Sequence, residues 1–358
     1  MRWWQRLAVA FMAVSSCGAS CGQSTLGIMP WVFNDSEHRT LRRDVVRLGL
    51  DDICPELLAT TVPLKLRARD PSTGRFFPTS CDVAELGNEG NLFVTLAGHG
   101  YAWNDVTGRL GFEATVKVEL EHDFLLDGAT MYLYLRARHA ADAAFTPLLV
   151  ERAAEQNAPV TELLGTDMTT AATEIGRRVL LGQVGRGFTA IRTPDGTTRV
   201  GLGLLAPGTR PFEPFGPDDA SGSTLANDRT ELHVGEVDFT GPFDVDGEAL
   251  WLTALVEGAP SVDVLVYAAA SVAPWIAAYE RRPDAAPAPR PAPLWTHTLP
   301  AAPTPATAPL RVAVSLPPGR YVVVFDHSAR AGPTTPSVRP GDDRAALVSY
   351  ALQRGAAP

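Results

Sequence analysis

Histidines beside carboxylates are the first places to look for chemistry, because imidazole titrates near neutral pH and a neighbouring carboxylate can orient or charge it. The densest such clusters are Glu121-His122-Asp123 and Asp326-His327-Ser328. Each follows a run with strand character, a position where sites are built and where solvated turns also lie. A metal ion at either triplet would need further ligands that sequence position does not supply. Both therefore read as turns, with a hydrolytic role for Asp123, His122 or Asp326 as the alternative. Asp244-Val245-Asp246-Gly247-Glu248 gathers oxygen ligands without the twelve-residue spacing of a calcium loop, and reads as an acidic turn. No Gly-x-Ser-x-Gly follows any of the strand-like runs, and no His-Glu-x-x-His, phosphate-loop, dinucleotide or Cys-x-x-Cys pattern occurs in the sequence. Gly182, Gly185 and Gly187 have the wrong spacing for a phosphate cradle and mark a chain reversal after a helix. No catalytic, cofactor-binding or metal residue is named on these grounds, and no cofactor is expected. Tyr101, Trp103, Trp251, Trp275, Tyr279 and Trp295 could line a glycan-binding face, against the commoner use of such rings as core.

The start of the chain carries a different chemistry. Met1-Arg2-Trp3-Trp4-Gln5-Arg6, an apolar run from Leu7 to Val14, and Ser15-Ser16-Cys17 follow the positive, apolar, small-residue order of an export signal. The apolar run is far short of a bilayer-spanning helix. Val14-Ser15-Ser16-Cys17 resembles a lipobox, the cleavage motif of bacterial lipoproteins. That resemblance implies removal of residues 1–16 and fatty acylation of Cys17 with palmitate-type chains, which hold a soluble module on a membrane more firmly than one chain can. Gly18 after the anchor is not the acidic residue that retains many such proteins at the inner membrane, so the outer membrane is the expected address. Cleavage at an ordinary signal nearby, leaving Cys17 a free thiol, is the competing reading.

The formal charge of −9 argues against a nucleic-acid partner and against electrostatic attraction to anionic lipid heads. With Cys17 acylated, Cys54 and Cys81 are the natural disulfide pair in an oxidising periplasm, leaving Cys21 odd. A zinc site is the weaker alternative, since neither has a Cys or His at ligand spacing.

Those residues need elements to hold them. After a tether over 17–40, Leu41, Val45, Val46, Leu48 and Ile53 have helical spacing that Pro55 interrupts. Strand-like runs follow at 62–68, 91–97, 111–120 and 131–137. Phe112 to Leu120 alternate with a period of two, and Asp127-Gly128 is a turn between long strands. A helix is expected over Met168–Gln183, then a hairpin about Pro194-Asp195-Gly196. The first unit, 41–205, is thus α+β, in an order similar to lipid-binding folds in which a helix lies along a curved antiparallel sheet. Residues 206–226 read as a linker. The unit 227–358 has strands at 231–239, 249–257, 262–267, 310–316, 320–326 and 345–350, turns at Gly241-Pro242 and Pro318-Gly319, and a packing helix over Val272–Tyr279. Pro283 to Pro309 reads as a projecting Pro/Ala-rich loop. Val262-Asp263-Val264-Leu265-Val266-Tyr267 with Pro318-Gly319-Arg320-Tyr321 resembles the pre-peptidase C-terminal sandwiches, which implies that these two strands pair. The whole is expected to be mainly β with a few helices, the second unit an antiparallel β-sandwich. The functional expectation is a non-catalytic envelope lipoprotein that meets its membrane through the lipid anchor and binds or assembles with a protein or lipid partner. A periplasmic hydrolase with its site between the units, or a lipid carrier, are the alternatives.

Overall fold

The computed structural model describes residues 34–35, 37, 53–59, 61–86, 91–105, 107–152, 168–193, 198–216, 223–283, 292–302, 308–334, 336 and 345–356. The leader, Cys17, Cys21, most of the tether and the expected helix before Ile53 lie outside the described residues. The fold is mainly β with few helices and antiparallel sheets.

The chain first builds a seven-stranded meander in sequence order: β1 (Val62–Pro63), β2 (Gly74–Leu86), β3 (Asn91–Asn104), β4 (Gly108–Asp127), β5 (Thr130–Val150), β6 (Phe188–Arg192) and β7 (Thr198–Leu202). Asp127 pairs with Thr130 across a two-residue turn whose first residue, Gly128, has φ +59°. Positive φ at that position belongs to the turns whose twist matches a hairpin, and glycine adopts it without a Cβ penalty. The alternation read in 112–120 is the burial pattern of β4, with Phe112, Ala114, Val116, Val118 and Leu120 buried. Helix α1 (Ile53–Ala59) is tied to β2 by the Cys54–Cys81 disulfide, Cα–Cα 5.4 Å. Pro55 does not break it, because proline is tolerated in a first turn where its missing N–H has no partner to lose.

Helix α2 (Met168–Val184) lies on the sheet face formed by Phe76, Leu110, Phe112 and Phe145, with Ala172 and Leu180 buried there. The approach is closest at Gly176, where a methyl group would sit 2.2 Å from the Phe145 ring.

The remaining strands are β8 (Ser223–Leu232), β9 (Glu236–Val245), β10 (Ala249–Glu257), β11 (Ser261–Ala268), β12 (Trp295–Pro300), β13 (Leu310–Ser315), β14 (Gly319–His327) and β15 (Ala346–Gly355). They form two four-stranded sheets, β13-β10-β15-β8 and β12-β11-β14-β9. Leu250, Leu252, Val348, Tyr350 and Leu352 from the first face Val262, Val264, Val323 and Phe325 from the second, making a sandwich core. The second sheet is buried on both faces, since helix α3 (Ala269–Tyr279) covers its outer side with Val272, Trp275, Ile276 and Tyr279.

Several expectations are corrected. The run 231–239 is two strands in different sheets, because the turn from His233 to Glu236, with Gly235 at φ +95°, reverses the chain. Gly241-Pro242 is no turn but part of edge strand β9, at a register shift against β14 where the ladder does not require the missing N–H. The supposed linker 206–226 overlaps β8 and is bonded to it, Asn227 exchanging hydrogen bonds with the backbone of Phe215. The supposed loop 283–309 contains β12, whose Trp295-Thr296-His297-Thr298-Leu299 alternation is hidden among prolines but pairs with β11. Only Val62–Pro63 of the run 62–68 is strand, and β2 was missed because Pro78 and Cys81-Asp82 blur its alternation.

We expect Gly176→Ala to lower stability by roughly 1–3 kcal/mol through overpacking. Gly182→Ala, on the same helix with nothing within 4 Å, should be neutral or stabilising by up to about 1 kcal/mol. Denaturant midpoints of the two variants check this.

Candidate functional site

The face of the meander opposite α2 is where the two units meet. Strand register sets Arg75, Tyr101 and Gly111 in one cross-strand row, and Phe77, His99 and Glu113 in the next. These rows pack on α3 and on the outer side of the β12-β11-β14-β9 sheet.

The centre is a buried ion pair. Arg75 donates from Nε and Nη2 to Asp238 at 2.8 and 2.7 Å, and Nη2 also donates to the Tyr350 hydroxyl at 2.6 Å. Tyr101 donates to Asp238 at 2.8 Å while accepting the Phe239 N–H at 2.8 Å. Burial alone would lower the Arg75 pKa, but the Asp238 carboxylate beside it holds it well above the ordinary value. Burial pushes the Tyr101 and Tyr350 hydroxyls up, so both stay protonated donors. Alongside, Lys65 pairs with Asp228, whose Oδ2 is buried without a hydrogen-bond partner. Ser72 accepts the Glu231 N–H at 3.1 Å and donates its own N–H to the Arg229 carbonyl at 2.7 Å. The first unit thereby covers the open edge of β8 that would otherwise expose unpaired backbone groups.

Around this centre the contacts are aromatic. Tyr101, Phe239, Trp275 and Tyr279 meet edge to face, with centroids 4.9–5.9 Å apart, each such pair worth about 0.5–1.5 kcal/mol beyond its burial. The Arg109 guanidinium lies 4.3 Å from the Tyr279 ring centre and donates to the carbonyls of Arg282 and Pro283 at 2.6 and 2.8 Å. Gly111 lets the end of α3 reach the sheet, since a Cβ there would lie 1.8 Å from the Glu280 carbonyl oxygen.

Two titratable groups border the junction. Glu280, fully buried, grips His99 Nδ1 with both carboxylate oxygens at 2.6 and 2.8 Å, and the ring stacks on Phe77. Burial raises the Glu280 pKa, opposed by the hydrogen bond and charge of His99. The imidazole side chain stays 30 % exposed, so the pair is an oriented imidazole of the kind that could move a proton. Glu236, at the start of β9, accepts the His233 N–H at 2.7 Å. Burial pushes its carboxyl up to about 8, with Glu151 and Glu231 adding to the rise against the His233 N–H and ring. At neutral pH it holds its proton.

The residues singled out in the sequence are scattered. His122 and Asp123 sit on β4, opposite Leu135 and Tyr134. At about 3.3 Å per residue they lie roughly 30 Å along the strand from Glu113 at the junction. Asp326 is on β14, opposite Asp263. Its Oδ1 accepts the Ser328 N–H and hydroxyl, and its Oδ2 the N–H groups of Ala331 and Gly332. Burial raises its pKa and these bonds oppose the rise. The carboxylate organises the loop that follows. In the acidic turn, Asp244 pairs with Arg320 at 3.3 Å, and Asp246 and Glu248 with Arg354 at 3.7 and 3.1 Å. Tyr101, Trp103, Trp275 and Tyr279 converge at the junction, whereas Trp251 lies under Arg311 and Trp295 stacks on His297. Cys17 lies outside the described residues. Among those residues, no three His, Cys, Asp or Glu side chains are grouped to hold a metal ion. Sequence reasoning missed Arg75, Asp238, His99 and Glu280, which nothing in their immediate sequence neighbours singles out.

A scan against models of known protein families finds none that matches the chain, and a search of curated proteins likewise finds no match.

Removing one member of the central pair, as in Asp238→Asn, should cost about 3–5 kcal/mol by leaving Arg75 buried without its countercharge, read as a shift in the urea midpoint. For Glu236 the folded pKa lies above the unfolded one, so its contribution is full at acid pH and is lost as pH rises through about 8. Glu236→Gln should therefore flatten the fall of stability between pH 5 and 9, with a gain of roughly 2–4 kcal/mol at pH 9. Denaturation curves across that range check it.

Proposed function

We propose that the chain is an envelope lipoprotein, held at the outer membrane through acylated Cys17, whose rigid two-unit module binds or assembles rather than catalyses. What carries the reading is the Cys54–Cys81 disulfide, the bond expected of a chain that matures outside the reducing cytosol, together with the export signal and lipobox ahead of it. The burial that joins the units also supports a scaffold. The seven-stranded sheet is fixed to the sandwich by a charged, hydrogen-bonded and aromatic junction, so surfaces far apart keep a set geometry.

For the hydrolytic alternative, His122 and Asp123 sit on β4 well along the strand from the junction, and both carboxylate oxygens of Asp326 are taken up by the loop that follows it. That alternative retains one observation in its favour, the oriented His99–Glu280 pair beside the junction. An activity screen of the purified protein against His99→Ala would decide for it only if turnover appears and the substitution abolishes it.

Intact mass spectrometry of protein extracted from membranes, with Cys17→Ala alongside, tests the address. We expect a chain that starts at Cys17 and carries added acyl groups, absent from the variant. An unmodified mass or a retained Met1 overturns the proposal.

A further inference from the structure

Three segments are bonded together around the C-terminus of α2. The first is a loop closed at its base by the Leu64 N–H on the Gly74 carbonyl and the Thr73 N–H on the Leu64 carbonyl, with a turn from the Asp70 N–H to the Arg67 carbonyl. Leu64 anchors it in the core, and Gln183 at the end of α2 donates to the Lys65 carbonyl at 2.6 Å. Its tip, Leu66 to Arg69, stands in solvent, with Leu66 61 % exposed. The second segment is the turn after α2, where exposed Arg186 donates its N–H to the Gln183 carbonyl. The third begins at Gly203, whose N–H bonds the Gly187 carbonyl at 2.8 Å, and carries Leu204, 44 % exposed.

This end therefore combines two leucines in water with Arg67, Arg69 and Arg186, while Lys65 is taken by Asp228 and Asp70 is the acidic residue of the loop. That is a local excess of positive charge in a chain of net charge −9. Apolar tips flanked by arginine suit the boundary between lipid headgroups and acyl chains, where leucine leaves water and guanidinium meets phosphate. The tips are separate prominences on braced turns, a shape that a fluid layer accommodates without a matching groove. A lipid on Cys17 would keep the module near a bilayer without choosing its face. Even a weak patch would then set the orientation, because the second contact is intramolecular.

We propose that this end docks on a bilayer rich in anionic phospholipid, Leu66 and Leu204 entering the headgroup layer and Arg67, Arg69 and Arg186 meeting lipid phosphates. The proposal rests on the membrane address proposed above, and its test separates the two. Membrane-extracted protein, its acylation read by intact mass, is reconstituted in phosphatidylcholine vesicles with and without phosphatidylglycerol, and amide hydrogen exchange is followed. We expect slowed exchange over 64–70 and 203–206 only with phosphatidylglycerol, reversed by Leu66→Ser and by Arg67→Gln with Arg69→Gln. If acylated protein shows equal exchange in both vesicles, the docking surface is overturned while the anchor stands. If the mass shows no acyl group, the same chain is cosedimented with the vesicles. Binding to phosphatidylglycerol that weakens about fivefold per arginine removed supports the surface, and failure to pellet overturns it. Protection that follows protein concentration instead of lipid charge would assign the patch to a second copy of the chain and overturn the proposal.

Discussion

The rest of the structure depends on the Arg75–Asp238 pair. Two charges taken out of water are tolerated only if each is fully matched, and here the match requires three sheets at once. Arg75 comes from the meander, Asp238 from one sheet of the sandwich and Tyr350 from the other. Tyr101 supplies a further bond to Asp238 while capping the Phe239 N–H. Any displacement of the meander from the sandwich strands a buried charge, so the junction has one favourable position. That selectivity is what hydrophobic burial alone, being non-directional, does not give.

The aromatic shell explains how so polar a centre is kept dry. Phe239 and Tyr279 meet Tyr101 edge to face, Trp275 meets Phe239 in the same way, and Arg109 lies over the Tyr279 ring. The second sheet of the sandwich is thus covered on both faces, by its partner sheet and by α3 with the meander. A sheet buried on both faces reads as an unbroken apolar run instead of an alternation. Val264 to Tyr267 and Tyr321 to Phe325 are such runs. The same feature makes the two units interdependent, because without the meander the outer side of β9 and β14 would face water.

Local elements were legible where one face is wet. The period of two in Phe112 to Leu120, the Asp127-Gly128 turn, the α2 face of Ala172 and Leu180, and the packing stripe of α3 all follow from residue spacing within a single element. The Cys54–Cys81 pairing followed from counting cysteines. Legibility failed where a tertiary partner overrides local character. Proline 242 sits inside a strand because β9 is an edge with a register shift there, and β12 forms among prolines because β11 offers it a partner. Apart from the aromatic rings, the residues of the junction carry no local mark. Arg75 precedes two phenylalanines and could be a solvated strand end, and Gly111 could be any glycine. Their roles appear only when register sets Arg75 beside Tyr101 and Tyr101 beside Gly111, and when Glu280 arrives from about 170 residues further along.

Net charge is a coarse guide for a related reason. A single number for the chain treats acidic and basic groups as mixed, yet the fold separates them. Asp244, Asp246 and Glu248 are met by Arg320 and Arg354 at one turn, and Asp228, Asp238 and Glu151 are matched within the junction by Lys65, Arg75 and Arg109. Part of the acidity is thus neutralised locally, and what a partner meets is the remainder at each surface. Between exposed charges the field decays within about 10 Å at ordinary salt. The arginines of the 65–71 loop and of the turn after α2 therefore act on whatever approaches them almost independently of the acidic side chains on the far side of the sandwich. For a module held near a membrane, the local sign at each end decides orientation, and the total decides only how strongly the molecule as a whole is repelled at longer range.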